Sequence, residues 1–442
     1  MGPDSYDRVV VVAQVLGTLW LAVVITRAVR ALARGDRRSV LFVVLVFSFF
    51  FGLPQVLDLL VGSPMFTYQR GFVVSQYDRT TNLVYLGYVA VTPVIMLAAG
   101  GPSRIDDRVI PMVPLRGLVR LVAWVAMLAL PFVVLLSPEP EQYARYAAFV
   151  GQNAGVNPQY HVVVSLAALL AGIASVVVLT APNSPPILRV ATLPFLGMAI
   201  WVQGKRSIVA LSLLLVIYLL WTRGYLRGRR FVAALAAAVL ALGVFSYSYQ
   251  SAVRDVGEER PGRQAALSAS PAYVGFRIDY GRDAVTKQAI YAELHPDEIQ
   301  ILEYRGQSIL FDLTFFVPRS MWPGKPYPYA TYVTAAMFGF EPRDLGWGVT
   351  TSWLEEAIAN LGWLGLLLGP LLPALICRLG DRQHSPFSGL LTVIVASLFL
   401  VLNLIAFMPI FLIWIVVQLR GPARATRAGP MMPRPGMLKR RR

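Results

Sequence analysis

The chain is expected to be an all-α polytopic membrane protein with about eleven transmembrane helices and one large external loop. Three observations predict this. First, the 442 residues are 56% hydrophobic and 14% charged, whereas soluble domains carry about 25% charged residues. Second, apolar runs of about 20 residues, enough to cross a bilayer, recur along the chain. Third, the basic residues behind the net charge of +16 gather at the ends of those runs. That placement is a topology signal, so no nucleic-acid partner is expected.

The first run starts at Val9 and has no small-residue cleavage site, so it is a retained span. Further spans follow near 39–61, 81–99, 117–137, 161–181, 188–202, 207–222, 231–250 and 353–378. Arg27, Arg30, Arg34, Arg37 and Arg38 follow the first. Arg104, Arg108 and Arg116 follow the third, and Arg223, Arg227, Arg229 and Arg230 the seventh. Basic turns face the cytoplasm, which places the N-terminus outside a plasma membrane.

The last apolar stretch, 386–418, lies between Arg378 and Arg382 on one side and a basic tail on the other. Both flanks should be cytoplasmic. The stretch is therefore expected to cross twice as a shallow hairpin bent near Asn403 to Pro409; the alternative is one long helix with an external basic tail. The organisation is then a membrane domain of spans 1–8 over 1–250, a loop over 251–352, spans 9–11 over 353–420, and a disordered cytoplasmic tail over 421–442. The single cysteine, Cys377, excludes a disulfide framework.

The loop departs most from the rest of the chain. Residues 251–350 hold 12 of the 24 acidic residues, together with ten Lys or Arg. Trp322, Trp347, Tyr327, Tyr329 and Tyr332 make it too aromatic for a disordered linker. Helices are expected over Asp283 to Glu293, and from Pro296 to a glycine stop at Arg305-Gly306. The apolar stretch 311–322 suits a membrane interface, which makes the loop a lid lying on the outer face.

Three further patterns carry candidate chemistry. Spans 6 and 7 are short, about 15 residues or 22 Å against a hydrocarbon core of about 30 Å. Their turn, Gln203-Gly204-Lys205-Arg206, would set two cations below the outer surface. Such charges are costly and face an interior partner, so Lys205 and Arg206 fit a site for an anionic ligand; the alternative is snorkelling to headgroups. Next, Ser352, Glu356 and Asn360 share one helix face at the mouth of span 9. They make either a site wall or a helix cap. Lastly, His161, His295 and His384 are scattered, so no metal and no other cofactor is expected.

Together these residues resemble the O-antigen polymerases, or oligosaccharide repeat-unit polymerases, relatives of the O-antigen ligases. The resemblance covers roughly 195–370. It rests on Gly204 to Ser207, on Pro318-Arg319 with Pro323-Gly324-Lys325-Pro326, and on Ser352-x3-Glu356-x3-Asn360-x-Gly362-x2-Gly365. The N-terminal half carries no such motif.

The resemblance implies metal-independent glycosyl transfer at the outer leaflet between undecaprenyl-diphosphate-linked oligosaccharides, with a chain-length regulator and a flippase as partners. Under it, Arg206 and Lys205 hold the diphosphate. Arg254, Arg277, Arg282, Arg319, Lys325 and Asn360 contact substrate. Glu356 is the first choice of base, with Glu355, Asp279, Asp283 and His295 as alternatives. A transporter or flippase of lipid-linked sugars is the competing reading.

Overall fold

The computed structural model describes residues 7–62, 70–103, 117–144, 158–181, 184–203, 206–222, 224–249, 273, 276–277, 280–345, 348–383 and 386–419. Among these, every regular element is a helix. Five helical stretches are long and apolar enough to cross a membrane: Arg8–Ala33, Ser39–Val61, Arg79–Gly100, Arg229–Ser246 and Trp353–Asp381. The other apolar stretches within helices are shorter, at 10–17 residues.

The chain opens with α1 (Arg8–Ala33), α2 (Ser39–Phe47), a π turn (Ser48–Gly52) and α3 (Leu53–Val61). Val40, Leu41, Phe42, Val43, Val44 and Phe47 of α2 are all at most 2% exposed. A helix apolar on every face belongs in a core. By contrast α1 leaves Val12 and Leu16 more than half exposed, a face suited to lipid.

The π turn has a local cause. Pro54 has no N–H to aim at the carbonyl four residues back, which is that of Phe50. That carbonyl accepts instead from the backbone N–H of Arg282 at 3.0 Å. The Tyr85 hydroxyl donates to the neighbouring Phe51 carbonyl at 2.8 Å. A break in a membrane helix thus becomes a docking point for the loop.

Then come α4 (Arg70–Tyr77), α5 (Arg79–Gly100), α6 (Gly117–Leu135), α7 (Pro158–Thr180), α8 (Pro186–Gln203), α9 (Arg206–Thr222) and α10 (Arg229–Tyr249). The two arms of the expected hairpin part company. α8 packs with α6 and α7, while α9 packs with α10 and the C-terminal helices and only touches α8. They run to 18 and 17 residues, longer than the expected 15. Val209, Ala210 and Leu213 bring the start of α9 against the central core.

The polar segment supplies α11 (Asp283–Leu294), α12 (Gln307–Thr314) and α13 (Tyr329–Phe338). The first was expected; a helix from Pro296 to Arg305 was not found. Residues 295–305 form turns, and Gly306, at φ +83°, precedes a helix rather than ending one. Ile301 and Leu302 are both buried there. The Gln300 side chain braces these turns by donating to the carbonyls of Leu302 and Glu303.

The lid picture needs correction too. Val285 and Ile290 of α11 and Val333 of α13 share one apolar cluster with Val40, Tyr85 and Met96 of the membrane helices. The loop's described middle is built into the bundle.

Span 9 is also interrupted. α14 (Trp353–Leu361) gives way to a 3-10 turn at Gly362–Leu364 and then α15 (Gly365–Asp381). A Cβ on Gly365 would lie 2.2 Å from the Ala357 carbonyl oxygen, so only glycine allows this return.

The last stretch forms α16 (Pro386–Phe399) and α17 (Leu404–Leu419). They pair antiparallel: Gln418 donates to Ser388 at 2.8 Å, and Trp414 to Thr392 at 2.9 Å. The reversal comes at 400–403, just before the expected bend, since Asn403 ends the turn and Pro409 lies within α17.

Candidate functional site at the junction of loop and membrane helices

Gln55 and Asp58, three apart on α3, face inward together. The Asp58 carboxylate takes a two-bond fork from Arg277, Nε at 3.0 Å and Nη2 at 2.9 Å, and accepts from the Tyr273 hydroxyl. Arg277 reaches Asp283 at the start of α11 with its remaining donors, Nη1 in a short contact and Nη2 at 2.8 Å. Gln55 donates to Asp283 at 3.0 Å, and Gln14 of α1 donates to the Gln55 carbonyl at 2.7 Å. Gly281 makes room, because a Cβ there would lie 2.5 Å from Arg277 Nη1. Lys287 stands 4.0 Å from Asp283, with its ammonium over the Tyr85 ring.

This knot balances two acids against two bases, all buried. Burial alone would raise the Asp283 pKa, but Arg277 holds its carboxyl below the usual range. Burial lowers the Lys287 pKa, with Asp283 opposing. All three nitrogens of the Arg277 guanidinium donate to a carboxylate, through four of its five N–H groups, so this residue ties the loop to α3.

Arg282 is different. It is 6% exposed, its guanidinium lies over the Phe50 ring, and among the described residues its one side-chain bond is a long one, 3.3 Å, to the Gly281 carbonyl. Among the same residues its Nε has no partner. Burial pushes its pKa down to about 10, opposed by the nearby charges of Glu355 and Asp283. Tyr329 of α13 lies within electrostatic range of both Glu355 and Glu356, and its buried hydroxyl is also unpartnered. Gln288 on α11 is fully buried with neither amide atom bonded. Buried polar groups in native proteins are almost always paired with protein, water or a ligand. Arg282 and Tyr329, both within electrostatic range of Glu355, make this junction a candidate for binding a polar ligand.

The Ser352, Glu356 and Asn360 face divides. Ser352 caps α14 in a capping box with Glu355. Glu356 instead accepts from Ser308 of α12 at 2.8 Å, and Asn360 donates to Ser308 and to the Glu356 carbonyl, both at 2.7 Å. Asp312, one turn along α12, lies within electrostatic range of Glu356. Burial pushes its pKa up to about 7. Loop and span thus meet where the Ser308 hydroxyl joins Glu356 to Asn360, with the Asp312 carboxyl within electrostatic range.

The other candidates fall elsewhere. Arg319 donates to the carbonyls of Lys325 and Pro326 and stacks on Tyr327. Lys325 donates to the carbonyls of Phe315 and Val317. These two cross-brace the proline-rich stretch. His295 ends α11 beside Tyr291, 3.8 Å from Asp78.

Arg206 begins α9, and its side chain lies outside the described residues, as do Lys205, Arg254 and Asp279. Among the described residues no group of three His, Cys, Asp or Glu is placed to hold a metal. A larger cavity of about 610 Å³ opens at the opposite end, among Asp36, Arg37, Arg38 and Gly101. Arg38 there is already forked onto Asp36, and the orphaned buried groups are not there, so the loop junction is the better candidate.

Asp58, Gln55, Ser308 and Asp312 were not singled out from sequence. Asp58 carried a usable signal, since an acid inside an apolar run marks function or pairing by default. No family model matches the chain, and neither a curated protein nor a solved structure matches it.

Proposed function

We propose that this chain joins lipid-diphosphate-linked oligosaccharide repeat units into a polymer at the outer face of the plasma membrane. The observation that carries the reading is Arg282, a buried arginine with an unpartnered donor beside Glu355, where the loop meets the helix bearing Glu356. The position in the bundle agrees. Ser39 at the start of α2 is bonded to Asp381, beside the basic clusters. Asp58 lies about 28 Å further along the same stretch at 1.5 Å per residue. Arg282, whose backbone N–H bonds the Phe50 carbonyl along that stretch, thus lies away from the Arg-rich turns, towards the side that the positive-inside rule would put outside.

In the proposed step, an acceptor hydroxyl oxygen attacks the anomeric carbon of the donor. The bond from that carbon to the lipid diphosphate breaks with inversion, and the diphosphate leaves with the electron pair. Glu356 takes the hydroxyl proton. Arg282 and Arg206 meet the charge developing on the leaving diphosphate, where preorganised cations lower a barrier most. Lys205 adds a point charge. The chain crosses the membrane about eleven times in this reading, with α16 and α17 as the terminal hairpin, so a reporter fused after Arg420 reads cytoplasmic; an external reading removes the hairpin.

The test is in cells. Arg206→Ala, Arg282→Ala and Glu356→Gln, expressed at normal levels, should each leave single repeats displayed outside and no long polysaccharide. Long polymer from all three ends the reading. The π-interrupted α2–α3 and the split α14–α15 favour a second reading, a transporter or flippase of lipid-linked sugars, because discontinuous helices line transport sites. Under that reading the variants would trap the repeats on the cytoplasmic side.

A further inference from the structure

A second cleft lies beside this junction, with a volume of about 380 Å³. That is at the low end of the ~300–1,000 Å³ usual for small-molecule sites. One wall is α11, the other is the turn 296–305, and Ala359 of α14 forms part of the floor. The space exists because Ala289, Ala292 and Ala359 present only methyl groups where helix and turn face each other.

Three features define what fits there. Tyr304 on the rim is 49% exposed and offers a flat amphipathic ring, apolar on its face and polar at its tip. Arg305 forks onto both oxygens of Glu293 and also donates to the Ala359 carbonyl at 2.8 Å. This makes a rigid planar array whose carboxylate keeps free lone pairs for hydroxyl donors. The charge is the third feature: Glu293 and Glu303 outnumber Arg305 among the lining residues, so the cleft disfavours an anion and accepts a neutral polyhydroxyl ring.

We propose that this cleft is a subsite for a neutral sugar ring of the glycan, stacked on Tyr304 with its hydroxyls on the Glu293–Arg305 pair. The inference rests on the polymerase reading for its place in the reaction. Ala359 lies about 4.5 Å along the helix axis from Glu356, at 1.5 Å per residue. Asn360, the next residue, holds the Ser308 hydroxyl that bonds Glu356. A ring seated here sets the next unit of the same glycan at Glu356, and the subsite selects the acceptor by its sugar. The diphosphate belongs to the cationic side of the junction.

The test uses the full chain in lipid nanodiscs and saturation-transfer NMR. The probes are methyl α-mannoside, methyl β-galactoside, methyl α-glucoside and methyl α-rhamnoside. At least one should receive saturation from the wild type. That transfer should fall at least fivefold in Ala292→Trp, which fills the cleft, and in Tyr304→Ala, which removes the platform without adding bulk. Arg343→Ala, exposed and outside the cleft lining, should leave it unchanged. The subsite is overturned if no glycoside receives saturation, or if transfer survives in a folded Tyr304→Ala protein. Competition by inorganic pyrophosphate at this cleft would overturn it too. Because the readout is binding, a failure here leaves intact any loss of polymer in Glu356→Gln, and the two readings fail separately.

Discussion

Replacing Arg277 by Met keeps most of the stem volume and strands two buried carboxylates. In the structure the guanidinium serves Asp58 and Asp283 through four hydrogen bonds, and all three side chains are at most 7% exposed. Removing one partner of a buried ion pair costs about 3–5 kcal/mol, because the remaining charge stays desolvated and unpaired. At about 2.1 cal/mol/K of unfolding entropy per residue, a chain of 442 residues loses roughly 1 °C per kcal/mol, so the apparent Tm falls by about 3–5 °C. Differential scanning fluorimetry of the detergent-solubilised protein reads the shift. Adding Asp58→Asn to Arg277→Met should recover part of the loss, since one of the stranded charges is then gone, so the two substitutions are strongly non-additive. A Tm for Arg277→Met within 1 °C of wild type, or strict additivity with Asp58→Asn, would refute the claim that this knot fastens the loop to α3.

Further outcomes follow from other contacts. Asp312 has a folded pKa raised to about 7 by burial, so its stabilising contribution is full below the unfolded carboxyl range and is lost as pH rises through about 7. The Tm of wild type should therefore drop between pH 5 and 8 more steeply than that of Asp312→Asn; parallel profiles would contradict this. Ser352→Ala removes one half of the capping box on α14 and should cost about 1 kcal/mol in stability by thermal or denaturant melts. Phe316 and Met321 are 70% and 78% exposed. Spin labels on cysteines placed there, in a Cys377→Ala background, should be relaxed by oxygen more than by a water-soluble nickel complex if the 311–322 stretch meets the bilayer. The reverse order would remove that contact.

The helical character and most helix positions were legible in the sequence because bilayer thickness imposes run length and charge placement on each span separately. The antiparallel fold of 386–418 was legible for the same reason: basic flanks on both sides leave an even number of passes. What hydropathy could not reveal is how the spans break. The π turn at Ser48–Gly52 depends on Pro54 releasing the Phe50 carbonyl to a partner 232 positions away, as the bond from Arg282 shows. The turn after α14 depends on Gly365 lying against the Ala357 carbonyl. Both are tertiary facts written in single residues.

The candidate site was legible in part. Glu356 and Asn360 do meet, because four-residue spacing sets them on one face. Their common partner Ser308 comes from α12, a helix that was not expected from the sequence. Ser352 left that group for Glu355, since a cap bonds to its own first turn. Arg277 and Arg282 looked alike in sequence. Only the positions of Asp58 and Asp283 separate the guanidinium bonded to two carboxylates from the one whose Nε has no partner among the described residues.

The most direct measurement reconstitutes the purified chain in proteoliposomes with undecaprenyl-diphosphate-linked repeat units and resolves the products by gel electrophoresis. The wild type should build a ladder of increasing repeat number, while Arg282→Ala and Glu356→Gln, folded and inserted equally well, should leave the single repeat unextended. A wild type that yields no ladder from its own repeat unit, or variants that build one at the wild-type rate, would contradict the assignment.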